Sequence, residues 1–183
     1  MNLYPLFLMG FVYILLFYLF TQPKTIKKNS FRDFLKVRFL KIGGIFESVS
    51  ILLQLTNPQL LRVSPTPIIM IQLLGLVFFI VGLSIITWAK ITMGGNWALP
   101  GSVKDNQKSL ITSGPFLFSR NPIYVGRILT LIGFELGLQS WLMLILIPDI
   151  IATHFIIAEE ERSLYKKFGK SYENYTNKVR RYL

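Results

Sequence analysis

Read for hydropathy alone, the chain alternates long apolar runs with short polar, basic ones. Five apolar stretches stand out, at residues 3–20, 42–56, 67–91, 124–138 and 141–158. A helix needs roughly 20 apolar residues to cross a hydrocarbon core, with about 17 as a lower limit. The first, third and fifth stretches meet that length. The second and fourth are short, so each either borrows flanking residues or enters without crossing.

The basic residues decide between these readings. If all five stretches cross, every Lys and Arg except Arg62 falls on one side of the membrane. Dropping either short helix from the count breaks the sorting. The pattern therefore predicts an all-α membrane protein of about five transmembrane helices, with the N-terminus outside and the C-terminus in the cytoplasm. The first stretch lacks a basic start and a small-residue cleavage site, and reads as a retained helix. Residues 1–93 would hold the first three helices, with a basic interfacial segment at 21–41. Residues 94–183 would form the second unit, which carries the candidate chemistry, with a polar loop, a helical hairpin at 124–158 and a cytoplasmic tail.

Composition agrees. Hydrophobic residues make up 52% of the 183 and charged residues only 16%, far from an ordinary soluble domain. The net charge of +11 sits at the ends of the hydrophobic stretches, where attraction to an anionic leaflet accounts for it without nucleic acid. Cysteine is absent, which excludes disulfides, thiolate metal sites and a cysteine nucleophile. With one His and no suitable carboxylate spacing, no metal is expected.

Within the apolar stretches, polar and small residues recur at helical spacing. Glu47, Ser50 and Gln54 share one face of the second. In lipid that face must turn inward, as a structural hydrogen-bond stripe or a substrate contact. Gly75 and Gly82 share a face of the third, and Gly133 and Gly137 lie at small-xxx-small spacing in the fourth, both suited to close helix packing. Glu135 lies near the fourth stretch's outer end and is expected to snorkel. Asp149, Thr153, Ile156 and Glu160 share a face of the fifth, while His154 lies elsewhere, nearer Glu161.

Two polar segments carry the candidate chemistry. One is LITSGPFLFSRNPIYVG, residues 110–126. Gly114 and Pro115 force a turn, Phe116 and Phe118 alternate, and Arg120 supplies a fixed cation. Asn121 precedes Pro122, which sits where a first helical turn accepts proline. The amides of Ile123, Tyr124 and Val125 would then be open to a ligand, and Gly126 would let a neighbour come close to Tyr124. The other segment is AEEERSLYKKFGKSYENY, residues 158–175. Its three adjacent carboxylates require cationic company, from Arg120, a ligand, or Lys166 and Lys167.

These residues resemble a known family. The run Arg120-Asn121-Pro122-Ile123-Tyr124-Val125-Gly126, preceded by Leu110 to Phe116, resembles the catalytic loop of the isoprenylcysteine carboxyl methyltransferase family of integral membrane enzymes. Glu160-Glu161-x-x-Leu164 followed by Phe168-Gly169-x-x-Tyr172-x-x-Tyr175 is similar to its C-terminal signature, and Gly94-Gly95-Asn96-Trp97 to a further landmark. The resemblance implies S-adenosylmethionine as methyl donor, in a cytoplasmic pocket that involves Leu110, Gly114, Pro115, Phe116, Arg120, Asn121, Pro122, Tyr124, Glu160 and Glu161. It also implies a lipophilic acceptor that reaches the site from the bilayer. Members acting on prenylated proteins usually carry His where this chain has Asn121, and Asn cannot titrate. They also carry an Arg for the prenylcysteine carboxylate, where this chain offers Lys90 or Arg127.

A carboxylate acceptor needs no base, whereas a phenol, enol or ammonium must lose a proton. Glu47, Lys90, Arg127, Asp149 and His154 are the substrate-side candidates. Two rival readings differ in kind. A membrane lipid reductase would bind NADPH and would need a basic cluster near the loop, which the Glu triplet opposes. A non-enzymatic lipid-binding scaffold would depend on the basic run and not on Glu160 or Tyr124.

Overall fold

The computed structural model describes residues 8, 10–12, 15, 53, 54, 56, 57, 61–63, 68–96 and 109–183. Most of the first two apolar stretches, the basic segment 21–41, Glu47, Ser50 and Trp97 lie outside the described residues. Among the described residues the fold is all-helical, with one isolated antiparallel bridge between Arg62 and Ser140.

Helix α1, Ile69–Met93, corresponds to the third apolar stretch. It stops at Gly94, where φ of +50° suits glycine, and the Gly94 N–H closes the last turn on the Lys90 carbonyl. Helix α2, Pro122–Leu138, starts with proline in its first turn, where the missing N–H costs nothing. It ends at Gln139, held left-handed at φ 53° while its side chain donates from Nε2 to the Ile68 carbonyl at 3.0 Å.

The fifth stretch is not one continuous α-helix. Trp141–Ile145 forms a 3-10 turn, and helix α3 runs only from Leu146 to Phe168. Pro148 supplies the reason: it has no N–H to give the carbonyl of Leu144, so an α-helix cannot be carried back through that turn. Ser140 caps the 3-10 segment, its Oγ accepting from the Leu142 N–H at 3.0 Å. At the other end α3 continues past Ala158 through the Glu triplet. Gly169, at φ +50°, turns the chain into the short helix α4, Lys170–Thr176.

Helices α1 and α2 form an antiparallel pair packed backbone to backbone. A Cβ on Gly75 would lie 2.7 Å from the Gly133 carbonyl oxygen, and one on Gly82 would lie 2.6 Å from that of Gly126. Reciprocally, a Cβ on Gly133 would lie 2.6 Å from the Gly75 oxygen. The small-residue faces read from the sequence thus meet each other, as lipid-embedded helices favour. What Gly126 admits is α1, through Gly82 and Ile86, and not a neighbour of Tyr124. Phe79 and Phe134 stack at 6.4 Å beside the seam, with Leu138 completing a small core.

Glu135 departs from expectation. It does not snorkel; it is buried, and Gln54 Nε2 donates to both of its oxygens at 3.2 Å. A carboxylate on the inward side of α2 is stabilised by an amide donor there, whereas turning outward would place it against apolar surface. Gln54, from the second apolar stretch, is accordingly inward-facing.

Outward, α1 presents Met70, Leu74, Val77, Ile80, Trp88 and Ile91, and α3 presents Ile147, Ile151 and Phe155, all exposed. Apolar faces of this extent are unfavourable in water and suit lipid. Among the described residues, the helices at Ile69–Met93 and Trp141–Phe168 are long and apolar enough to cross a membrane. The two ends of the α1–α2 pair differ. At one, residues 61–63 pair with Gln139 and Trp141 through backbone hydrogen bonds of 2.8 and 2.9 Å. At the other, the polar loop meets the C-terminal tail.

Candidate functional site

The site is built where the loop after α1 folds against the tail after α3. Gly114 has φ of +59°, and a Cβ there would come within 2.6 Å of Thr92 Oγ1, so both conformation and space select glycine. The 3-10 turn Gly114–Leu117 follows and splits the aromatic pair. Phe116 is buried with Ala89, Tyr172 and Tyr175 in a second core, which Leu110, Ile123, Leu164 and Phe168 surround. Phe118 points outward against Trp88, with ring centroids 6.3 Å apart. Tyr175 fastens this core, its hydroxyl donating to the Phe116 carbonyl at 2.6 Å.

The loop then delivers Ser119, Arg120 and Asn121 onto Glu161 of α3. Asn121 Nδ2 donates to Glu161 Oε1 at 3.1 Å, and the Arg120 Nε lies 3.4 Å from the same oxygen. Arg181 grips the other oxygen, Oε2, from Nε at 3.0 Å and from its terminal nitrogen at 2.8 Å. Glu161, only 8% exposed, is thus held by two guanidinium groups and an amide. Charge-assisted bonds of this kind are what a buried carboxylate requires.

The tail backbone joins in. The Arg120 N–H donates to the Arg180 carbonyl at 2.9 Å, and Asn121 Nδ2 and Ser119 Oγ both reach the Arg181 carbonyl, at 3.1 and 3.3 Å. Ser119, 1% exposed, also accepts from the Asn121 N–H at 3.1 Å. Because its side chain serves Glu161, Asn121 gives α2 no side-chain cap. Its carbonyl accepts from the Val125 N–H at 3.1 Å, so that amide is not open to a ligand; those of Ile123 and Tyr124 head the helix.

Burial is the largest influence on the phenols beneath the cluster. It pushes Tyr175 up to about 12, with Arg120 opposing and Glu161 reinforcing the shift. It raises Tyr172 further, again with Glu161 reinforcing and Arg120 and Arg181 opposing. Both stay protonated donors at neutral pH. The hydrogen bond to Glu161 keeps Arg181 above its ordinary value.

Of the residues singled out from sequence, the structure brings Leu110, Gly114, Pro115, Phe116, Arg120, Asn121, Pro122 and Glu161 to this end of the fold. Tyr124 is buried one helical step on. Glu160 is half-buried on α3, one position round from the clasped Glu161. Lys90 is buried on the last turn of α1, next to Ala89 of the second core. Arg127 and Asp149 find each other: the guanidinium donates to Oδ1 at 2.9 Å and Oδ2 at 3.1 Å, and reaches Thr153 Oγ1 at 3.3 Å. His154 is exposed, with Nδ1 at 2.7 Å from the Tyr182 hydroxyl. Ser119, Arg181 and Tyr182 were not singled out. The Arg180-Arg181 pair counted only as charge on the cytoplasmic side, since a tail without periodicity gives no face to read.

The cluster offers a ligand both charge signs at close range. Tyr172 Oη is buried and makes no hydrogen bond, although it lies beside the Glu161 system, whereas Arg120 Nε meets Glu161 Oε1 as an ion pair at 3.4 Å. One enclosed, unspent phenol donor next to a carboxylate and two guanidinium groups suits a ligand with hydroxyls and charges of both signs, as S-adenosylmethionine has. Among the described residues no group of His, Asp or Glu is arranged to hold a metal ion.

The comparisons with known proteins bear on the same region. The phospholipid methyltransferase family model matches residues 70–171, from the start of α1 into α4, and takes in the loop, Lys90, Arg127, Asp149 and both Glu160 and Glu161. Neither the comparison with curated proteins nor that with solved structures found a match. The match covers more than half of the chain, and it agrees with the resemblance drawn from the loop and the Glu pair. The chain belongs to the phospholipid methyltransferase family, the isoprenylcysteine carboxyl methyltransferase-like family of membrane methyltransferases.

Proposed function

We propose that the protein is an S-adenosylmethionine-dependent methyltransferase that acts on a lipophilic, membrane-resident acceptor with an O- or N-nucleophile. The observation that carries this reading is the convergence of Arg120 and Asn121 from the loop on Glu161 of α3, with an unspent donor on Tyr172 beside them.

S-adenosylmethionine supplies an electrophilic methyl group whose transfer is an in-line displacement, so positioning is the main contribution left to the protein. Tyr172 Oη, with the Arg120 guanidinium beside it, would serve the cofactor's carboxylate or hydroxyl oxygens. Glu160, half-buried next to Glu161 in the sequence, would contact its cationic or hydroxyl groups. Asn121 holds Glu161 and the loop in register rather than moving a proton, which an amide cannot do. Phe116, Tyr172 and Tyr175 wall the site against water.

On the acceptor side, Arg127 and Asp149 lie on facing helices, at 25% and 26% side-chain exposure. The Arg127 fork is taken by Asp149, so an anionic headgroup would have to displace that carboxylate to use it. For an acceptor that must lose a proton, His154 is the titratable group next to the tail. Five spans with a cytoplasmic site fit the placement of Arg62 at one end of the bundle and of Arg120, Arg180 and Arg181 at the other.

Calorimetric titration of the detergent-purified protein with S-adenosylmethionine and with NADPH tests the reading. Binding of the former, weakened in Arg120→Ala and Glu160→Ala, is expected. A folded wild-type protein that binds NADPH, or binds neither, would sink it.

A further inference from the structure

The family match stops at residue 171, yet the contacts that hold Glu161 Oε2 come from beyond it. The segment that follows α4 runs back across the loop. It gives two backbone carbonyls and one guanidinium to three consecutive loop residues and to α3. The Arg180 carbonyl takes the Arg120 N–H, and the Arg181 carbonyl takes Asn121 Nδ2 and Ser119 Oγ. The Arg181 side chain takes Glu161 Oε2. Tyr182 adds a contact from its hydroxyl to His154 on α3.

Each bond removes a freedom that the site would otherwise have. A carboxylate held at one oxygen by the Arg181 fork presents its other oxygen in a fixed direction, toward Asn121 and Arg120. Asn121 has two amide hydrogens, and they go to Glu161 Oε1 and to the Arg181 carbonyl, so its orientation is fully specified. Arg120 has its backbone fixed by the tail while its Nε rests 3.4 Å from Glu161 Oε1. The tail therefore fixes the Arg120 backbone and the Glu161 carboxylate against which the Arg120 guanidinium rests.

We infer that residues 180–182 are an integral part of the methyl-donor site, and that Arg181 is a positioning residue that presets Glu161, Asn121 and Arg120 for the donor. The donor half of this inference rests on the proposed function, whereas the clasp itself stands on the contacts alone. Arg181 acts through Glu161 and the loop and need not touch the reacting atoms.

The test combines two readouts on the full chain in detergent: amide hydrogen exchange without ligand, and calorimetric binding of S-adenosylmethionine. In Arg181→Ala, exchange at the Arg120 amide and through residues 119–125 should accelerate about tenfold or more, with the α1–α2 seam around Phe79 and Phe134 unchanged. Affinity should fall about 10- to 100-fold, as misplacement of orienting groups does. Arg181→Lys, which keeps the charge and loses the fork, should fall between wild type and Arg181→Ala. If Arg181→Ala does not fold, Arg181→Lys carries both readouts, with a loss in each still required.

Loop amides as protected in the variants as in wild type would overturn the clasp. Freed amides with unchanged affinity would overturn the link to the donor. A wild type that binds no S-adenosylmethionine, beside variants with freed loop amides, would support the clasp and remove the methyl-donor reading alone.

Discussion

Asn121 on the loop and Glu161 on α3, forty residues apart, are joined by a 3.1 Å hydrogen bond inside a cluster that also holds Arg120 and Arg181. The bond explains why an amide serves at this position. It gives one hydrogen to a carboxylate and the other to a backbone carbonyl, and it adds no charge where two guanidinium groups already compensate one Glu.

Asn121→Asp changes no volume and replaces a donor by a second buried negative charge. The loss of both bonds with repulsion from Glu161 should destabilise the fold by about 1–3 kcal/mol. For a chain of this size each kcal/mol lowers the unfolding midpoint by about 2–4 °C. Circular dichroism melts in detergent check it, and an unshifted midpoint would show that the bond contributes nothing.

Gly133 and Gly169 should respond to alanine for opposite reasons. At Gly133 a Cβ would lie 2.6 Å from the Gly75 oxygen and 2.8 Å from the Phe79 Cα, both backbone, so α1 and α2 must part. Gly133→Ala should cost about 1–3 kcal/mol through overpacking. At Gly169 nothing lies within 4 Å, and only its φ of +50° opposes a side chain, which costs about 1–2 kcal/mol. Hydrogen exchange separates the two, because only Gly133→Ala should loosen the α1–α2 seam.

Tyr175 ties stability to alkaline pH. Its phenol is pushed from 10.0 up to about 12, chiefly by burial. Between those values the unfolded chain releases the proton while the folded chain retains it, so stability falls as pH rises through that window. Below the window this group contributes no pH dependence. Tyr175→Phe should flatten the alkaline limb, and should lower stability at neutral pH because the Phe116 carbonyl loses its donor. Denaturation followed against pH for the two proteins gives the comparison.

Arg127 and Asp149 bind the two helices of the hairpin through paired hydrogen bonds. Asp149→Ala removes both and should cost about 1–3 kcal/mol, as bonds to charged groups do. Combining Arg127→Asp with Asp149→Arg should recover part of the loss from either single change. No coupling in that cycle would mean the pair does not hold the helices together.

Periodicity and composition in this chain settled what a local rule can settle. An apolar run bounded by Gly94 made α1, proline in the first turn started α2, and glycines at helical spacing marked the faces that pack. The loop and the Glu triplet were visible as chemistry because their residue types are costly in a membrane protein unless something uses them. Direction and partner were not visible. Glu135 was placed outward because it stands near a helix end, and only the approach of Gln54 from another stretch gives it an inward partner.

The fifth stretch looked like one helix because its hydropathy is continuous, and Pro148 confines the α-helix to Leu146 onward. Glu161 separates from Glu160 only in the fold, which buries it against Arg120, Asn121 and Arg181. Hydropathy is a property of single positions and their neighbours in sequence. The pairing of a buried charge depends on which distant donor the packed helices bring within about 3 Å, and that distance exists only in the folded chain.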